Sequence, residues 1–177
     1  MGRIRFIVIG AVLGVAWAAS LRGFMQQLAG LDSRFTFTGT FGIILPTGTI
    51  VGALLGWAEY QHRAGHQYRL LILAPLLIGV IPDLATATAD PSPIALALLA
   101  MAGGYAVSGR GPLWTRIAAG IVNLAGVAVT FLAPKPSPDL STATPHGLWF
   151  DTLGASLGVV LALACCIPMR RPSPPAV

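Results

Sequence analysis

Residues 41–60 read FGIILPTGTIVGALLGWAEY, from Phe41 to Tyr60. The stretch is twenty residues long and carries one charge, Glu59, near its end. About 20 apolar residues in an α-helix rise roughly 30 Å, the thickness of a bilayer's hydrocarbon. Gly48, Gly52 and Gly56 recur at every fourth position, which puts them on one face of that helix. Small residues at this spacing let a second backbone come close where lipid offers no hydrophobic drive between helices. Trp57 and Tyr60 close the stretch, as amphipathic rings do at a membrane border. The stretch therefore reads as a transmembrane helix with a built-in packing face.

The same pattern repeats outward along the chain. Spans are expected at about 4–22, 41–60, 69–88, 93–109, 112–134 and 148–169. The separators are polar or Pro-rich: Gln26 to Thr40, Gln61 to Tyr68, Asp90 to Pro93, Gly109 to Pro112 and Pro134 to Asp139. The third and fourth spans are joined by only a few residues, so the count is six, or five if one of them is re-entrant. Gly10 and Gly14 repeat the packing motif on the first span, and Gly154 and Gly158 on the sixth. Pro46 and Pro75 fall inside spans and should bend them, with Thr47 and Thr49 placed to satisfy freed carbonyls. The expected fold class is thus all-α, one polytopic helical bundle over residues 1–169, followed by a disordered tail at 170–177.

Composition agrees. The 177 residues are 55% hydrophobic and only 10% charged, with a mean hydropathy of +0.76. Ordinary soluble domains carry about 25% charged residues, so a soluble enzyme and a wholly disordered chain are both excluded. The net charge of +5 does not point to nucleic acid, because the bases stand at the ends of apolar runs and form no basic stripe. Ten Arg to one Lys, with abundant Ala, Gly and Pro, fits a GC-rich bacterial genome. Cys165 and Cys166 are adjacent in the last span and read as small packing residues, not as a disulfide.

The bases also orient the chain. With the N-terminus inside, Arg3, Arg5, Arg63, Arg69, Arg110, Arg116, Arg170 and Arg171 lie inside, and Arg22, Arg34 and Lys135 outside. The positive-inside rule favours this arrangement over its inverse, and places both termini in the cytoplasm of a bacterial inner membrane. Arg3 and Arg5, the apolar run after them and Ala16-Trp17-Ala18 also resemble a cleavable signal. The apolar character continues to about Leu21, so an uncleaved first helix is the expectation.

Ionisable residues within a membrane are costly, and each is a functional hypothesis. The span centres hold none. The candidates lie near the outer border: Arg22 ends the first span, Asp83 follows Pro82 in the third and Asp151 begins the sixth. Asp83 reads first as ending a short helix at Pro82 and meeting water; an ion pair of Arg22 with Asp83 or Asp151, and a substrate site at these residues, are the alternatives. The alternation Phe35-Thr36-Phe37-Thr38 has the period of an extended interfacial segment. Asn123 is the sole amide inside the fifth span and is expected to bond across helices. His62 and His66 share the spacing of a metal pair but lack the Glu after the first His that a zinc protease helix needs, so no metal and no cofactor is expected. His146 reads as a loop residue.

The scarcity of catalytic groups favours a non-enzymatic membrane protein, either a small permease or an accessory or structural subunit. Its partners would be the bilayer and a second copy or another membrane protein. The alternative is a membrane-embedded enzyme acting on a lipid-like substrate at the outer face. It would use Asp83, Asp151 and Arg22 in acid/base and anion-binding roles.

Overall fold

The computed structural model describes residues 2–29, 36–66, 68–87, 90–133, 135 and 137–170. Of the tail expected at 170–177, residues 171–177 lie outside the described residues, as do Arg34 and Phe35. The described residues are helical and include no strand. Helix α1 is Arg3–Ala29, α2 is Leu45–Arg63, α3 is Leu77–Thr86, α4 is Pro91–Val107, α5 is Leu113–Leu132 and α6 is Pro145–Cys166. A π-helical turn, Thr38–Ile44, leads into α2, and a 3-10 segment, Arg69–Leu76, leads into α3. Four helices are long and apolar enough to cross a membrane: Arg3–Leu28, Thr38–Arg63, Arg69–Thr86 and Pro145–Met169. Helices α4 and α5 are apolar but shorter in their apolar stretch.

Several local features follow from proline and from capping. Pro46 has no N–H to give the carbonyl four residues back, and the helix ahead of it widens into the π-helical turn. Thr47 Oγ1 donates to Ile43 O at 2.7 Å and Thr49 Oγ1 to Leu45 O at 2.8 Å, as anticipated for hydroxyls near a proline. Pro75 closes the 3-10 segment, while α3 runs on through Pro82 to Thr86. Thr86 Oγ1 donates to Pro82 O at 2.8 Å. Asp90 starts α4 by accepting from Ser92 N at 2.9 Å.

That bond carries a pH prediction. The Ser92 N–H holds the Asp90 carboxyl below the usual carboxylate range. A depressed folded pKa contributes stability above the unfolded value of about 3.9, and loses it as pH falls through the folded value. Exchange of the Ser92 amide should therefore rise in that acid window. In Asp90→Ala it should already be fast at neutral pH.

Two expectations are corrected here. The first span does not end at residue 22: α1 continues through Gln26 and Gln27 to Ala29. Phe24, Met25 and Leu28 keep the helix apolar enough to go on. Over its described residues from Phe37 onward, the alternating segment is not extended: Phe37 is in the αR region and the π-helical turn starts at Thr38. Phe37 and Phe41 consequently stack on one helical face, centroids 4.9 Å apart, instead of alternating.

The helices pack in a chain of neighbours. Helix α1 lies mainly on α2, while α4 takes α5 on one side and α6 on the other. The core forms where α2, α3, α4 and α6 meet, around Val51, Leu55, Ile78, Ala100, Leu161 and Cys165. Glycines that the sequence reading did not single out close this core. A Cβ on Gly104 would meet Ala162 O and Cys165 Cβ at 2.8 Å, and one on Gly103 would meet Ala162 Cβ at 3.0 Å. Cys165 and Cys166 are both buried free thiols that fill this seam.

Candidate functional site

The α1–α2 seam is built from backbone. A Cβ on Gly10 would run into Gly52 O and stand 2.9 Å from Gly56 Cα. One on Gly14 would run into Gly48 O, and one on Gly52 into Gly10 O. One on Gly56 would meet Phe6 O. The glycines of the two spans thus face each other across an antiparallel pair. On α6, a Cβ on Gly154 would meet the Phe24 ring at 2.9 Å, whereas Gly158 has nothing within 4 Å.

So close an approach to α2 leaves α1 apart from α6. Trp17 Nε1 bridges the interval by donating to Leu157 O at 3.0 Å. Phe24 also reaches across, stacked on Phe150 with centroids 4.4 Å apart. The remaining space is a half-open groove of about 630 Å³. Its floor is the glycine face of α2, and its walls include Ile9 and Leu13 of α1 and Leu157, Val160 and Ala164 of α6. From Phe6 to Ser20 it follows α1 for roughly 21 Å at 1.5 Å per residue. The lining is apolar in effect. Ser20 Oγ donates to Ala16 O at 2.9 Å and Ser156 Oγ to Leu153 O at 2.8 Å, so both hydroxyls are satisfied by their own helices. Glu59, at one end, is the sole ionisable residue of the lining.

Outside the groove's lining, α6 carries an ion pair. Asp151 is 5% exposed on α6, and its Oδ1 accepts from Lys135 Nζ at 2.5 Å. The ammonium also stands 5.4 Å from the Phe150 ring centroid. Asp151 Oδ2 is buried with no hydrogen-bond partner among the described residues. The segment after α5 makes this arrangement possible. Its 3-10 turn, Pro138–Leu140, buries Leu140, and Thr144 Oγ1 caps α6 by accepting from Gly147 N at 3.0 Å. Gly147 is required there, because a Cβ would collide with Ser141 O.

The three expected site residues therefore do not form one cluster. Among the described residues Asp151 pairs with Lys135, and the contact seen for Arg22 is with a hydroxyl. Arg22 donates from Nε to Thr40 Oγ1 at 3.2 Å, tying α1 to the π-helical turn. The extension of α1 to Ala29 places Arg22 against that turn and not at a free helix end. Asp83 stands on the last turn of α3. Neither Asp83 nor Asp151 lines the groove. Lys135 was missed as a site residue. Its only signal in the sequence is that it is the chain's single lysine, standing in the Pro-rich segment before the sixth apolar run.

The Glu59 end is basic and aromatic. Arg63 Nε donates to Glu59 Oε1 at 2.6 Å, and its guanidinium lies 5.0 Å from the Phe6 ring centroid. Arg3 lies 5.5 Å from the Trp57 ring centroid. Arg170, one residue beyond the last 3-10 turn, is held above its ordinary pKa by a hydrogen bond with the Cys166 side chain and by the nearby Glu59 charge. His62 is on the last turn of α2, and Gly65, at φ +77°, turns the chain away before His66.

Asn123 does bond across helices. Its Nδ2 donates to Leu99 O of α4 at 2.8 Å. Asn123→Leu should lower stability by about 1 kcal/mol, read as a small drop in the thermal midpoint in detergent.

These features define a class: a protein whose described residues are helical, with a backbone-packed helix pair, a half-open apolar groove that has Glu59 and Arg63 at one end, and a buried Lys135–Asp151 ion pair outside the groove's lining. Comparison with family models, with curated proteins and with solved structures found no match to this chain.

Proposed function

We propose that the chain is a non-enzymatic integral protein of the bacterial cytoplasmic membrane, an accessory subunit or small permease that works through its lateral groove. It crosses six times, with Arg63 and both termini on the cytoplasmic side. Helix α5 supports this reading: Trp114, Leu124, Val129 and Leu132 are 71%, 67%, 65% and 84% exposed, which lipid tolerates and water does not. Helices α4 and α5, 17 and 20 residues long, rise roughly 25 and 30 Å, enough to cross with short flanks.

The observation that carries the non-enzymatic reading is the burial of Asp151 against Lys135, away from the groove. A carboxylate 3% exposed is not placed to meet substrate. The groove itself opens sideways and offers no acid/base pair, which suits an apolar occupant and favours the accessory role over a polar permease. The second reading is an enzyme acting on a lipid-like substrate at the outer face. The unpartnered Asp151 Oδ2 is the observation in its favour.

Complementation of a strain lacking the gene separates them. The groove reading expects Lys135→Met/Asp151→Leu to complement like the wild type and groove-filling Val160→Phe to fail. The opposite pattern would move the working site to the outer pair.

A further inference from the structure

The groove's occupant is set by its charged end, not by its walls. An acyl chain leaving the bilayer gains little from aliphatic walls, since lipid tails are as apolar as Leu. At about 630 Å³ the groove is within the size range of small-molecule sites. What distinguishes it is the mouth at Phe6, Glu59 and Ile167. Arg63 is anchored there by Glu59 through Nε, with its side chain 63% exposed. A guanidinium has five N–H donors, so the rest of its fork is available to phosphate oxygens. Arg3 stands over Trp57 and Arg170 follows the helix end that carries Ile167. Arg63 bonds Glu59, Arg170 feels its charge and Arg3 lies one turn before Phe6 on α1, so this mouth is cationic, on the side that the proposed topology gives to the leaflet enriched in anionic headgroups.

We propose that the groove binds one anionic phospholipid of the cytoplasmic leaflet, with an acyl chain along the glycine floor and its phosphate at Arg63, Arg170 and Arg3. The assignment rests on the groove being the working surface.

Trp17 reports on it directly, because it lines the groove. The full chain with Trp57, Trp114 and Trp149 replaced by Phe keeps Trp17 as its one tryptophan. It is reconstituted in phosphatidylcholine vesicles doped with lipid brominated on its acyl chains, either phosphatidylglycerol or phosphatidylcholine. Brominated phosphatidylglycerol should half-quench Trp17 at a mole fraction at least about five-fold lower than brominated phosphatidylcholine. Arg63→Gln/Arg170→Gln should bring the two curves together, and Val160→Phe should weaken quenching by both. Coincident curves for the chain with its arginines intact would overturn the lipid assignment. If Val160→Phe then still failed to complement, the groove would remain the working surface with another occupant, such as a second copy. If Val160→Phe complemented, the groove reading would fall as well.

Discussion

Gly52→Leu should lower the thermal midpoint of the detergent-solubilised chain by about 10 °C, corresponding to a loss of about 3 kcal/mol. The reason is the nature of the obstacle. A Cβ on Gly52 meets Gly10 O and the Cα of Gly14, at 2.9 Å for the latter. Both atoms belong to a helix backbone, which cannot rotate aside as a side chain can. Helix α1 would have to withdraw along its whole contact with α2, and α1 has little else to hold it. Gly158→Ala is the control, because nothing lies within 4 Å of that Cβ. It should leave the midpoint unchanged. Equal behaviour of the two variants would show that the α1–α2 seam is not backbone-packed.

Lys135→Met should cost about 3–5 kcal/mol, because it leaves the Asp151 carboxylate buried without its counter-charge. Lys135 is 11% and Asp151 3% exposed at the side chain, so solvent screens the pair weakly. The double variant Lys135→Met/Asp151→Leu should recover most of that loss, since an apolar pair removes the charge that needed a partner. The check is urea or thermal unfolding of the three proteins in one detergent. A single variant as stable as the wild type would mean that Asp151 does not depend on Lys135 as its counter-charge.

The helices were legible in the sequence because composition and period decide them. Six apolar runs separated by Pro and polar clusters each hold an α-helix, though α1 runs on to Ala29 and the third run is 3-10 helical over Arg69–Leu76 (8 residues) before α3 begins. The glycine motif was legible on each helix separately. Which motif faced which was not, because spacing along one chain carries no information about the partner across the gap. Gly10, Gly14, Gly48, Gly52 and Gly56 meet, while Gly158 does not touch a neighbour. The outer site was the least legible. Arg22 reads as a helix-end charge only if α1 stops there, and its continuation to Ala29 gives Arg22 to Thr40. Lys135 sits in a Pro-rich segment whose path depends on Leu140 being buried and on the close approach of Gly147 to Ser141, neither of which shows in a hydropathy pattern. The groove was equally invisible, since it exists because α1 is drawn to α2 and held off from α6.

The membrane topology underlies every functional statement, and accessibility of single cysteines tests it. Cys165 and Cys166 are first replaced by Ala. Thr142→Cys, Ala64→Cys and Pro112→Cys then place one exposed thiol in three different connections. An impermeant maleimide added to intact cells should label Thr142→Cys, and should reach Ala64→Cys and Pro112→Cys only after the membrane is opened. Labelling of Pro112→Cys from the same side as Thr142→Cys would mean that α5 does not cross, and would contradict the six-span account.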